Sequence, residues 1–171
     1  MPVGPLRDLA PCAIDWSGSA ITSVKEGAIF KTEFDFADIF EAEHGKCAVD
    51  AIYTGISMCT FEAPMTRLTY ANLAKLIPGA SNSGGESGNV KVWNKNVGTS
   101  LYTGAQELIV KRIVAGVADT VQQYWLHFPK AAMVPRFDIP YNLDEQAGFL
   151  VVFKCFPDAT SKLLWHIGDI V

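Results

Sequence analysis

Charge is what this 171-residue chain has least of: 19% of its residues are Asp, Glu, Lys or Arg, against 49% apolar ones. A monomer that meets water on every side carries more, so the shortage points to surface hidden by partners. Basic residues are the scarcer sign. Lys and Arg number 14 against 18 Asp and Glu, and the net charge is −4. A protein that grips nucleic acid through its phosphates needs a basic face, so the charge argues against that class. A surface that nucleic acid slides past is not excluded, because a mildly acidic wall repels phosphate. Long apolar runs are also missing. No stretch approaches the ~20 residues of a membrane helix, and "MPVGPLRDLAPC" lacks the apolar centre of a signal peptide. The four cysteines, Cys12, Cys47, Cys59 and Cys155, form no C-x-x-C pair. Each is expected to be a buried free thiol in a protein made in a reducing compartment.

Catalytic patterns are equally scarce. There is no G-x-S-x-G, no H-E-x-x-H and no phosphate-binding Gly-rich loop ending in Lys-Ser/Thr. His44 and Cys47 in "HGKC" are half of a zinc site, but no second close pair completes it. Cys47, His44 and Asp50 contain the groups of a Cys–His hydrolase, yet three groups on one loop seldom hold that geometry. Glu33 and Asp35 share a strand face and match an acid/base pair. A solvated or lumen-facing strand face accounts for them more simply. In "VQQYWLHF" (121–128) the aromatics suit stacking on single-stranded nucleic acid, but no basic residue accompanies them in sequence, so packing in a core or subunit interface is the reading. Lys111-Arg112 reads as an isolated, solvated pair. No cofactor or metal is expected.

What is present is strand pattern. Length and composition suit a single domain, 1–171, opening with an extended arm over 1–10. In "AIFKTEFDFADIF" (28–40) Phe30, Thr32, Phe34 and Phe36 alternate with Lys31, Glu33 and Asp35, so one face is buried and the other polar. After the loop "EAEHGK", a second long strand is predicted over about 49–63. Strict alternation puts Thr54, Ile56, Met58, Thr60 and Glu62 on one of its faces. Tyr53, Ser57, Cys59 and Phe61 fall on the other, and the inward face is left open. Thr69 caps a predicted helix, 69–77, whose Tyr70, Leu73, Leu76 and Ile77 recur at helical spacing before Pro78-Gly79 ends it. "SNSGGESGNV" reads as a turn. Further strands are predicted near 12–16, 20–24, 89–95, 107–114, 121–128, 147–156 and 163–168. The expected fold class is mainly β, an antiparallel β-sandwich or barrel with one short flanking α-helix.

Two stretches carry a family resemblance. One is the long strand, "EAEHGKCAVDAIYTG", the second strand and "TRLTYANLAKLIPGA". The other is "GFLVVFKCFPDATSKLLWHIGDI", a strand, a Pro-Asp turn and a closing strand ending in Ile-Gly-Asp. Together they cover roughly two fifths of the chain, and they resemble the major tail tube proteins of tailed bacteriophages and related tail-like particles. The resemblance implies a two-sheet sandwich with a flanking helix, a hexameric ring, and rings stacked into a tube. The tube's inner wall is a continuous β-barrel through which double-stranded DNA passes without specific binding. On this sequence it implies that 28–40 and 49–63 form the wall, with Lys31, Glu33 and Asp35 facing the lumen. The loop 41–48, with Glu41, Glu43, His44 and Lys46, reaches the next ring. Leu73, Leu76 and Ile77 pack the helix against the outside. The implied partners are further copies of the chain, a tape measure protein, tail terminator and initiator proteins, and a sheath if the tail contracts. The implied location is the virion tail, assembled in the host cytoplasm.

The chain is therefore read as a structural, non-enzymatic tail tube subunit. Two other readings fit the same residues. One is a different virion β-module, such as a capsid decoration or tail terminator protein. The other is a small β-fold enzyme or ligand-binding domain.

Overall fold

The computed structural model describes residues 12–21, 28–40, 47–65, 69–77, 79–85, 88–93, 97–134 and 149–168. The arm 1–10 lies outside them, as do Glu41, Glu43, His44 and Lys46 of the expected inter-ring loop.

Eleven strands and one α-helix appear among the described residues. β1 (Cys12–Trp16) and β2 (Ser19–Ile21) form a hairpin. Its turn is Ser17-Gly18, both with positive φ (52° and 69°), the twist that suits a two-residue hairpin loop. β3 (Ile29–Phe40) and β4 (Ala48–Met65) are the two longest strands. α1 (Tyr70–Leu76) follows, and the Leu73 amide donates to the Thr69 carbonyl at 2.9 Å to close its first turn. Leu73 packs against the core and Ile77 is buried at the helix end, as the helical spacing predicts, whereas Tyr70 of the same set is exposed. The side chain of Leu76 lies outside the described residues. Gly79, at φ 78°, then turns the chain, and the Ala80 amide returns to the Ile77 carbonyl.

β5 (Ala80–Ser83) and β6 (Asn89–Val92) make a separate two-stranded sheet beside α1. The sequence predicts only a turn over most of this stretch. The glycines shape the loop that joins the two strands. A Cβ on Gly88 would sit 1.8 Å from the Ser83 carbonyl oxygen, so only glycine fits there.

The other strands are β7 (Gln106–Val114), β8 (Val117–Ala118), β9 (Leu126–Val134), β10 (Phe149–Phe156) and β11 (His166–Ile167). With β1 to β4 they form one antiparallel sheet in the order β2-β1-β7-β9-β10-β4-β3, with β11 beside β9 and β8 beside β7. The sheet curls on itself. Phe30 of β3 meets Phe128 of β9 with ring centroids 5.4 Å apart, although two strands separate them in the sheet. Trp16 of β1 reaches Phe153 of β10 at 6.4 Å and donates its indole N–H to the Ala131 carbonyl. The enclosed face supplies the core, with Ile14, Met65, Leu108, Phe128, Met133, Val151 and Phe153 fully buried. Among the described residues β2 and β3 do not pair, so the sheet is not closed.

One boundary differs from expectation for a physical reason. The strand predicted over 121–128 is a 3-10 turn at Gln122–Tyr124 followed by β9, which runs on through Pro129 to Val134. Proline cannot donate to a ladder, and β9 accommodates it with a register shift. Leu108 faces Phe128, but Gln106 faces Ala131, so one extra residue is spent on β9 around Pro129.

Candidate functional site

β3 and β4 leave the body of the sheet together. β10 pairs with β4 only from Met65 to Thr60. From Cys59 to Ala48, β4 has β3 as its one partner among the described residues. Along β3, from Thr32 to Phe40, this arm is a two-stranded ribbon of roughly 26 Å at ~3.3 Å per residue.

Three register shifts interrupt the ribbon, and each places the extra residue on β4. Glu33 faces Met58 but Phe34 faces Ile56, so Ser57 is the additional residue. Asp35 faces Gly55 but Phe36 faces Tyr53, which leaves Thr54. Ile39 faces Asp50 but Phe40 faces Ala48, which leaves Val49. Each bulge turns the phase of β4 by one residue, so neither of the two sets given by strict alternation survives. The face continuous with the core carries Phe61, Cys59, Ile56, Tyr53, Ala51 and Ala48 on β4, opposite Phe30, Thr32, Phe34, Phe36, Asp38 and Phe40 on β3. Gly55 sits between the first two bulges at φ 146°, which strongly favours glycine.

The aromatic face is buried only at its root. Phe61 is in the core and Phe30 packs on Phe128 and Trp165. Further out, Phe34, Phe36 and Tyr53 cluster, with Tyr53 6.3 Å from Phe34 and 5.8 Å from Phe36. They are half exposed or more, and Phe36 reaches 61%. At the base of this face is a groove of about 370 Å³ between the ribbon and β10, lined by Tyr53, Ile56, Cys59, Lys154, Phe156 and Leu164 among others.

The opposite face holds Lys31, Glu33 and Asp35, as the alternation predicts, across from Thr60, Met58 and Gly55. The Lys31 ammonium bonds the Glu62 carboxylate at 2.8 Å. That pairing neutralises the one cation of the trio and leaves Glu33 and Asp35, both exposed, to set the sign of the face.

The other chemical candidates disperse. Cys47 is exposed, not buried as expected, while Cys12, Cys59 and Cys155 are buried. Asp50 accepts from the Ala51 amide at 2.7 Å, and His44 lies outside the described residues. Among the described residues no group of three or more His, Cys, Asp and Glu is arranged to hold a metal. Lys111 and Arg112 are not the isolated pair they resemble in sequence. Lys111 stands over the Trp125 ring at 4.3 Å and pairs with Asp15; Arg112 stacks on Tyr124 at 3.7 Å and pairs with Asp119. The Val121 amide, then Arg112, hold the Asp119 carboxyl below the usual carboxylate range.

Sequence reasoning missed one constellation. Glu107 of β7, His127 of β9 and His166 of β11 form a line, with His127 Nε2 2.6 Å from Glu107 Oε1 and the two Nδ1 atoms 3.3 Å apart. The residues are 20 and 39 positions apart in the chain, and only the sheet register, which sets His166 opposite His127, joins them. No protein-family model matches this chain, and no curated protein matches it.

Proposed function

We propose that this chain is a structural subunit of a bacteriophage tail tube or tail-like particle, assembling with copies of itself as stacked hexameric rings around a lumen that conducts DNA. The observation that carries this reading is the β3–β4 ribbon, which projects from the sheet with an aromatic face and with strand edges that no other described strand pairs. A two-stranded ribbon alone in water is marginal, and an uncovered edge with an apolar face invites another chain. In a ring the neighbouring subunit supplies the missing strands and covers Phe34, Phe36 and Tyr53. A head-to-tail contact of this kind closes into a ring, and stacked rings extend as a tube.

In this arrangement the curled sheet and its flanking helix are the sandwich half of the subunit, and the polar face of the ribbon looks into the lumen. Two strands from each of six subunits would give roughly twelve, fewer than the ~16–18 of barrels that hold an aqueous channel. The wall would therefore draw also on β10, which pairs with β4 at the root of the ribbon, and on β9 next to it. With Lys31 tied to Glu62, the face left to the lumen is acidic, which suits passage of a polyanion without adhesion. No catalytic role is assigned to the chain. Its partners in this reading are further copies, the tape measure, and the proteins that start and end the tube.

The test is assembly. The purified chain, alone and with a tail initiation complex, is examined by negative-stain microscopy and sedimentation. Hollow tubes with a regular axial repeat are expected. Closed discs that never stack would favour a terminator or decoration protein. A chain that stays monomeric with every partner would sink the reading.

A further inference from the structure

We infer that Glu107, His127 and His166 form an acid-released latch that fastens β11 to the sheet and so holds Trp165 over the root of β3. With both rings neutral, the hydrogen bonding fixes the tautomers. A carboxylate only accepts, so His127 Nε2 carries a proton and donates to Glu107. His127 Nδ1 is then a lone pair, and His166 Nδ1–H donates to it at 3.3 Å. His166 Nε2 is left as a buried lone pair with no partner. A proton added at His166 Nε2 places an N–H where no acceptor waits. One added at His127 Nδ1 sets two N–H groups facing each other and breaks the inter-ring bond. With both rings protonated, two imidazolium charges face one carboxylate.

Among the described residues, Glu107 is the one carboxylate acting on His166. On β7, Lys111 is paired with Asp15 of β1. On β9, Lys130 acts on Asp158. In the segment before β11, Asp158 binds the Ser161 amide and Lys162 donates to the Ala159 carbonyl. Burial, then His127, already hold the His166 imidazole below its ordinary value, with Glu107 pulling the other way. A base with a lowered folded-state value contributes stability that is whole above its unfolded value of about 6.5 and is lost as the pH falls.

Among the described residues β11 has little else to hold it. It is two residues long, His166 opposite His127 and Ile167 opposite Leu126, followed by the Gly168 amide on the Trp125 carbonyl. The residue before it, Trp165, packs edge-on against Phe30 at 5.2 Å. Release of β11 therefore uncovers Phe30 where the ribbon joins the core. The latch is a property of the single chain and does not rest on the tube reading.

Hydrogen exchange of the 163–168 peptide, read by mass spectrometry on the full unassembled chain and corrected for intrinsic rates, tests it. Protection is expected to fall at least tenfold between pH 7.5 and 5.0, and His127→Gln and His166→Gln are expected to flatten that step. Protection that ignores pH, or a step that survives both substitutions, overturns the latch. If either variant fails to fold, histidine proton NMR on the native chain decides. Coupled titration of the two rings with loss of Trp165–Phe30 contacts supports the latch. Independent titration near the ordinary value, with those contacts intact, refutes it.

Discussion

Phe36 and Tyr53 meet edge to face across the ribbon, ring centroids 5.8 Å apart, and more than half of each side chain is open to solvent. An edge-to-face pair contributes about 0.5–1.5 kcal/mol beyond its buried area, so this one has a modest role in the isolated chain. The double substitution Phe36→Ser/Tyr53→Ser should therefore lower unfolding stability by no more than about 1–2 kcal/mol and leave a monomer. Self-association should be lost altogether. Urea unfolding and sedimentation velocity read the two effects separately. A double variant that still polymerises would remove this face from the interface.

Gly55 has φ 146°, and a Cβ built there meets nothing within 4 Å. Space is not the obstacle; the backbone conformation is. Gly55→Ala should cost about 1–3 kcal/mol through strain alone. That cost should fall on the ribbon, leaving the β4–β10 pairing from Thr60 to Met65 in place. Amide exchange resolved along β4 is the measurement, with protection expected to drop at 48–58 and hold at 60–65. Uniform loss along the strand would mean that the bulged arm and the sheet unfold as one.

The contrast between β3 and β4 shows how far the sequence can be read. In β3, Phe30, Thr32, Phe34 and Phe36 alternate with Lys31, Glu33 and Asp35 without interruption, and the structure keeps every one on its expected face. β4 has the right length and place, but its faces are hidden. Ser57, Thr54 and Val49 are ordinary strand residues, and nothing local marks them as the ones left over when β3 is paired. A bulge is a property of two strands, so a pattern read on one cannot locate it. The same holds for Lys111 and Arg112, whose aromatic and acidic partners arrive from β1 and the segment 119–125. Helix α1 and the Asp158 turn were legible because their signals lie within a few residues of one another.

That turn gives a pH prediction. The Asp158 carboxylate accepts from the Ser161 amide at 2.8 Å, the Ser161 hydroxyl at 3.0 Å and the Thr160 amide at 3.1 Å. The Ser161 amide first, then its hydroxyl and the Thr160 amide, hold the carboxyl below its usual range. A lowered carboxyl contributes stability that is present above the unfolded value of about 3.9 and disappears as the pH falls through the folded one. Asp158→Asn should therefore destabilise the chain at pH 7 and make little difference in strong acid. Thermal unfolding of both proteins from pH 7 to pH 2 should show the two curves converging. A constant gap would assign the effect to packing.

The cysteines give a direct count. Cys47 is exposed, whereas Cys12, Cys59 and Cys155 are buried. Burial pushes the Cys12 thiol up to about 11. Contact with the Cys59 sulfur, then burial, pushes the Cys155 thiol up as well. A thiol reagent at pH 8 should therefore modify Cys47 rapidly in the native, unassembled chain and reach the other three only on unfolding. Cys47→Ser should abolish the fast phase. A second fast thiol would show that the core opens near β4 and β10, where Cys59 and Cys155 sit.

Glu33 and Asp35 offer the sharpest test of which face meets the lumen. Both are exposed on the polar face of β3, and Lys31 beside them is already paired with Glu62. Replacing both with Lys changes about four units of charge per subunit without touching the aromatic face or the strand register. Folding and assembly should persist, since exposed substitutions away from special backbone positions stay within about 0.5 kcal/mol. What should change is the behaviour of a passing polyanion. A ring of six such subunits would present a strongly basic wall, so assembled tubes should now retain DNA, and retention should fall steeply as salt rises. Tubes of the original sequence should retain none at the same ionic strength. If the variant tubes retain no more DNA than the original, the polar face of β3 does not line the channel, and the aromatic face must be considered in its place.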